Sequence, residues 1–132
     1  MFGEGKNSFP LKVLKWMAEN KKLRMVDDQV SSPTYVADLA ATVADLMEKG
    51  VHGTYHITNS GSCSRYEWVE LIIKETGWDG EHERARSEDF ASPARRPRYS
   101  ALDNSLLESK AGYRLPTWQD ATVRFLKRMG KA

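Results

Sequence analysis

GTYHITNSGSCSRYEW, residues 53–68, carries two local signals of different kinds side by side. Gly53 to Asn59 alternates in polarity and is rich in β-branched and aromatic residues, which predicts a strand. SRYE, Ser64 to Glu67, has the form of a capping box. The serine hydroxyl accepts from the N–H three residues on, and the glutamate reaches back to the serine N–H. Trp68, Val69, Ile72 and Ile73 then recur at helical spacing, and Gly77 stops the run. A strand leading into a capped helix points to a fold that mixes the two element types along the chain.

Working outward, the same alternation continues. Toward the N-terminus, Ser8 and Pro10 start a helix with Leu11, Leu14, Met17 and Ala18 on its apolar face. A short strand is centred on Leu23 to Val26, and Asp27 and Asp28 end it. SSPTYV is extended, because Pro33 disfavours helix at Ser32. Asp38 lies at the start of a helix that carries Leu39, Val43, Leu46 and Met47 and ends at Gly50. Toward the C-terminus, EHERAR reads as a charged edge strand. Residues 87–100 read as loop. Asn104 or Ser105 starts a short helix ending at Gly112. Pro116 and Thr117 open a last helix with Trp118, Ala121, Phe125 and Met129 on one face. The order α, β, α, β, α, β, α, α predicts an α/β fold with a small mixed sheet and about four main helices.

The 132 residues are enough for one domain with one core. Twenty Lys and Arg against 18 Asp and Glu leave a net charge of +2, too small to mark a nucleic-acid binder. No apolar run is long enough to cross a bilayer, and the first residues lack the pattern of a secretory signal. The single cysteine, Cys63, cannot form an internal disulfide and fits a reducing cytoplasm; no acid or histidine partner for a reactive thiol is evident.

Most catalytic motifs are absent. GEG at residues 3–5 lacks the third glycine and the preceding strand of a dinucleotide-binding turn. Hydride transfer of the short-chain type needs a lysine four residues after a tyrosine, so that the ammonium lowers the phenol pKa. The residues four beyond Tyr35, Tyr55, Tyr66, Tyr99 and Tyr113 are Leu39, Asn59, Glu70, Asp103 and Thr117. His52 and His56, four apart in a strand, are separated by about 13 Å, too far to share a metal easily.

What remains is ASPARRPRYSALDN, residues 91–104. It sets Arg95, Arg96 and Arg98 around Pro97. Two readings stay open on the residues alone. In one, Arg95 or Arg98 folds onto Glu88 or Asp89 in a solvated loop. In the other, the arginines clamp a phosphate, whose oxygens match the planar guanidinium fork. Pro93 and Pro97 would then stiffen the backbone and Tyr99 would add a stacking face or a hydroxyl.

VDDQ…SPTYVADLA (26–40), GTYHITNSGSCSRYEW (53–68), SEDF (87–90), ARRPRYSALDNSLLE (94–108) and GYRLPTWQDATVRFL (112–126) occur in that order. Together these blocks resemble the C-terminal part of the dTDP-4-dehydrorhamnose reductase family, within the extended short-chain dehydrogenase/reductase superfamily. MFGEGKNSF resembles the stretch that follows the catalytic region there. The resemblance implies that residues 1–132 form a single substrate-binding portion and that the NADPH-binding Rossmann domain, with its catalytic Tyr and Lys, lies upstream of Met1. It implies binding of a dTDP-sugar, with no catalysis and no cofactor binding by this chain alone. It places Arg96 on the diphosphate, as the second arginine of a pair found across the wider superfamily, with Arg95, Arg98 and Tyr99 nearby. Pro33 and Tyr35 are implied either to line the substrate cleft or to place the helix that follows. Ser31 departs from the family, which usually has glycine there; a positive φ would strain serine by roughly 1 kcal/mol. A non-catalytic assembly module built on the same fold is the alternative function. In either case the helix near Val36 and the GTYHITN segment would lie uncovered without the cofactor domain, which implies a homo-oligomer through self-association or strand exchange. Neither nucleic acid nor membrane is expected as a partner, and the location is expected to be cytoplasmic.

Overall fold

The computed structural model describes residues 1–5, 7–90 and 94–132. In chain order the elements are α1 (Phe9–Glu19), β1 (Lys22–Val26), β2 (Val30–Ser31), α2 (Val36–Glu48), β3 (Cys63–Ser64), α3 (Arg65–Thr76), β4 (Glu81–Ala85), a 3-10 turn (Ser87–Asp89), α4 (Ser105–Ala111) and α5 (Trp118–Arg128). The α/β class holds, but the single small mixed sheet is replaced by two separate pairs. β1 and β4 run parallel, with Leu23 opposite His82 and Met25 opposite Arg84, while β2 and β3 run antiparallel. Among the described residues, no helix is long and apolar enough to cross a membrane.

The capping box forms as read from the sequence. Glu67 N–H donates to Ser64 Oγ at 3.1 Å, and Ser64 N–H donates to Glu67 Oε2 at 2.7 Å. Gly77 and Gly112 end α3 and α4 with φ of 66° and 69°, a conformation that glycine adopts without a Cβ clash. α1 has turned slightly from its expected face. Pro10, Val13 and Met17 are buried, whereas Leu11 and Leu14 are only half-buried and Ala18 is exposed. Ser8 precedes α1 without capping it; its hydroxyl accepts instead from Gly3 N–H.

Residues 53–59 form no strand. The expected alternation is real, since Tyr55 and Ile57 turn inward onto Leu46, Leu107 and Leu115 while Thr54 and His56 are exposed. What is lacking is a neighbouring strand. The Asn104 side chain takes that place: it accepts from Thr58 N–H at 3.2 Å and donates to Thr58 O at 2.8 Å. Ser60 then bridges to Thr117. Alternation reports which face is buried, and side-chain hydrogen bonds here satisfy the backbone that a ladder would otherwise satisfy.

The charged β4 is covered by few apolar groups because its side chains pair locally. Glu81 and Glu83 meet Lys22, Arg84 meets Asp27, and the Tyr66 ring lies against both His82 and Arg84 at 4.1 Å. Only Ala85 of β4 is buried. The main core joins α1, β1, α3 and α5 around Val13, Val69, Ile72, Phe125 and Leu126, all without solvent exposure. Phe2 enters it from the N-terminal segment, held by Phe2 N–H donating to Thr34 O and Val36 N–H donating to Phe2 O.

The apolar side expected for α2 is divided. Thr42 and Leu46 are buried, but Val43 is 38 % exposed and Met47 75 % exposed. Val36 and Ala40 continue the exposed stripe at successive helical turns. Ser31, where strain was expected, lies in β2 opposite Cys63; among the described residues no non-glycine has a positive φ.

Candidate functional site

A cavity of about 640 Å³ opens beside β1, a size ordinary for a small-molecule site. α1 supplies Phe9, Lys12 and Trp16 to it, and β1 supplies Lys22, Leu23, Arg24, Met25 and Val26. Arg65 enters from the start of α3, Ser87 and Phe90 from the 3-10 region, and Arg96 from the arginine loop. Cationic and aromatic side chains line it together with aliphatic and neutral polar ones, and among the described lining residues none is acidic. That combination suits an anion attached to a flat ring: guanidinium and ammonium groups meet phosphate oxygens, and aromatic faces accept a base.

The expected site residues do not all converge. Arg96 lines the cavity; Arg95, Arg98, Tyr99, Pro33 and Tyr35 do not. Arg98 contributes its backbone instead, accepting from Val30 N–H at 2.8 Å. Tyr99 is 67 % exposed and bridges Val30 through its main chain. Pro33 and Tyr35 are buried. The Tyr35 ring stacks on Phe2 at 5.3 Å and meets Phe125 edge-on at 5.7 Å, and Tyr35 immediately precedes α2. Pro93 lies outside the described residues.

Of the two acids expected to meet Arg95 or Arg98, Glu88 and Asp89, the second is engaged elsewhere. Asp89 accepts from Arg24 at 3.0 Å and from Arg86 N–H at 3.0 Å. Asp28 accepts from the Ser87 hydroxyl at 2.6 Å; that bond outweighs desolvation and holds the Asp28 carboxyl below its usual value.

Sequence reasoning missed two of the groups in this site and one buried hub outside it. Arg65 was read only as the residue after a capping serine. A signal was present, since a cation at the first position of a helix faces the positive end of the macrodipole. The structure places the Arg65 guanidinium over the Phe9 ring at 4.4 Å. Arg65 is exposed as a whole, yet partial desolvation of its charged end and the nearby charge of Arg96 both lower its proton affinity. Arg24, read as part of a strand, is the second. Asn59 is the third. It is fully buried and ties three segments together: its Oδ1 accepts from Tyr35 N–H at 2.7 Å, and its Nδ2 donates to Asp38 Oδ2 at 2.7 Å and to Pro116 O at 3.0 Å. Asp38 also takes a two-pronged pair of bonds from Arg124, at 2.8 and 2.7 Å. Asp38 therefore begins α2 as expected, but by locking that helix to α5.

Cys63 is buried, and desolvation reinforced by Glu67 pushes its thiol up to about 12. That makes it an inert packing group at neutral pH. A second, smaller cavity of about 230 Å³ lies between Thr58–Gly61 and Leu102–Ser105, bordered by Glu108 and Arg114. It carries both signs of charge and no aromatic ring.

Comparison with known proteins gives the chain a family context. The sequence model of the RmlD substrate binding domain matches residues 1–131. The spore coat polysaccharide biosynthesis protein SpsK of Bacillus subtilis is 35 % identical over the whole chain, which spans 46 % of that protein. A dTDP-4-dehydrorhamnose reductase of Mycobacterium tuberculosis is 38 % identical over 77 % of the chain and 34 % of its own length. Among solved structures, a dTDP-4-dehydrorhamnose reductase from Clostridium acetobutylicum superposes with a TM-score of 0.93 at 32 % identity, covering 98 % of the chain and 46 % of that protein. The Bacillus anthracis enzyme, solved in complex with NADP, superposes with a TM-score of 0.90 at 31 % identity, covering 96 % of the chain and 45 % of its own. The chain thus spans less than half the length of these relatives.

Proposed function

The chain belongs to the RmlD substrate-binding domain family, and on that premise we propose that it is the nucleotide-sugar-binding portion of an NADPH-dependent dTDP-4-dehydrorhamnose reductase. The observation that carries this reading is the entry of Arg96 into a cavity that four further cationic and three aromatic residues line, with no acid among the described lining residues. The diphosphate of a dTDP-sugar sits at Arg96, and Phe9, Trp16 and Phe90 offer surfaces for the thymine ring. Reduction of the 4-keto group of dTDP-4-dehydro-L-rhamnose then belongs to a longer protein, whose other half supplies NADPH and the proton-donating tyrosine. No tyrosine of this chain is followed by lysine at the spacing that reaction needs.

Titration calorimetry with dTDP tests the reading. The 132-residue chain is expected to bind, and Arg96→Ala to weaken binding by roughly tenfold or more, as loss of charge-assisted phosphate bonds implies. The chain alone is expected not to oxidise NADPH with the keto-sugar present. No binding at millimolar dTDP would remove the reading.

The exposed Val36, Ala40, Val43 and Met47 stripe supports the same placement, because a longer protein has a second half with which to cover it. Left uncovered, it is expected to drive self-association of the isolated chain. Light scattering across a concentration series checks this: Val43→Lys together with Met47→Lys should shift the mass toward the monomer. A wild-type mass that stays monomeric at high concentration would count against an adhesive stripe.

A further inference from the structure

Three arginines border the large cavity, and their surroundings differ. Arg24 donates to Asp89. Arg96 comes from the loop. Arg65, among the described residues, makes no ion pair; its guanidinium rests on the Phe9 ring at 4.4 Å. It stands at the first position of α3, where the helix end is partially positive, and near a second guanidinium, that of Arg96. A cation in that position has two repulsive neighbours and, among the described residues, no carboxylate paired with it. An anion between Arg65 and Arg96 removes both disadvantages.

The stacking on Phe9 matters for what Arg65 can do. A ring holds the guanidinium by its flat face and leaves the N–H donors along its edge available. It also restricts the side chain before any ligand arrives, which lowers the ordering cost of binding. Arg65 and Arg96 belong to different segments, α3 and the loop, and both line the cavity. A diphosphate carries more charge and more acceptor oxygens than a monophosphate, so it gains more from a second guanidinium group.

We propose that Arg65 is the second phosphate-binding arginine of this cavity, and that Arg65 and Arg96 together select a nucleoside diphosphate over the corresponding monophosphate. The proposal rests on the nucleotide-sugar reading of the cavity. It adds a residue and a basis for selectivity to that reading. Arg65→Ala leaves Ser64 and Glu67, and hence the capping box of α3, in place.

The test compares dTDP with dTMP by calorimetry on the 132-residue chain, with Arg65→Ala, Arg65→Gln and Arg96→Ala as variants and circular dichroism to verify folding. Wild type should favour dTDP by roughly tenfold or more. Arg65→Ala should weaken dTDP by a similar factor and leave dTMP within about threefold, so that the preference collapses. Arg65→Gln, which keeps the length of the stem, should do the same and serves if the alanine variant does not fold. A wild-type dTDP-to-dTMP ratio in either folded Arg65 variant overturns the assignment of Arg65, while a loss in Arg96→Ala leaves the cavity reading intact. Binding of neither nucleotide by wild type overturns both.

Discussion

Phe125→Ala is expected to destabilise the domain by about 3–5 kcal/mol. Phe125 has no solvent exposure, and its ring meets Phe2 at 5.5 Å and Tyr35 at 5.7 Å. Truncation leaves a void where three chain segments come together: the N-terminal segment, the entry to α2, and α5. Small domains have only about 5–15 kcal/mol of net stability, so this one change removes a large part of it. Thermal melting should fall by roughly 10–20 °C. Phe125→Leu, which keeps most of the volume, should cost far less. A loss below about 1 kcal/mol by urea unfolding for Phe125→Ala would mean that the cluster does not hold these segments together.

Asp38→Ala is the second large effect. The Asp38 side chain is only 12 % exposed and receives bonds from Arg124 and from Asn59. Alanine removes the acceptor of a buried amide N–H and leaves Asp120 as the acid that pairs with Arg124 among the described residues. Complete burial of such a pair would place the cost near the top of the usual range, but Arg124 is 40 % exposed and solvent screens part of the loss. The expected cost is about 2–4 kcal/mol at neutral pH. Its pH dependence has a definite sign. Burial by itself would raise the Asp38 pKa, but the bonds from Arg124 and Asn59 outweigh it and leave the value below the ordinary 3.8. A carboxyl with a depressed folded-state pKa stabilises fully above its unfolded value and loses that contribution as pH falls through the folded value. The difference between wild type and Asp38→Ala should therefore be full at pH 7 and shrink below about pH 4. A penalty that did not diminish in acid would contradict the ionic part of this lock.

The features that were legible in the sequence are those that a few neighbouring residues decide. Ser64 and Glu67 need only each other to form a capping box, and Gly77 and Gly112 need only the absence of a Cβ to end their helices. The GTYHITN segment shows the limit of local reading. Its burial alternates as expected, but a strand requires a partner, and Asn104, 46 residues from Thr58, supplies the hydrogen bonds in its place. The face of α2 was unreadable for a related reason: periodicity marks Val43 and Met47 as apolar, while burial depends on what lies opposite. The arginines divide in the same way. Arg96 stood out by density of charge, and the resemblance singled it out from Arg95 and Arg98. Arg65 and Arg24 approach the same cavity from elements that are remote in sequence, so neither was visible until the chain was folded. Asn59, a polar residue in a loop by sequence, becomes a buried hub only because α2 and the segment before α5 meet there.

The central claim is that the cavity beside β1 receives the nucleotide. It is tested most directly by titrating dTDP into isotopically labelled chain and following backbone amides and the Trp16 indole N–H by heteronuclear NMR. Saturable shifts are expected, centred on Arg24, Arg65, Arg96 and Trp16, with little change around Asn104 and Arg114. Shifts confined to the smaller cavity at Asn104 and Arg114, or none up to millimolar dTDP, would contradict it.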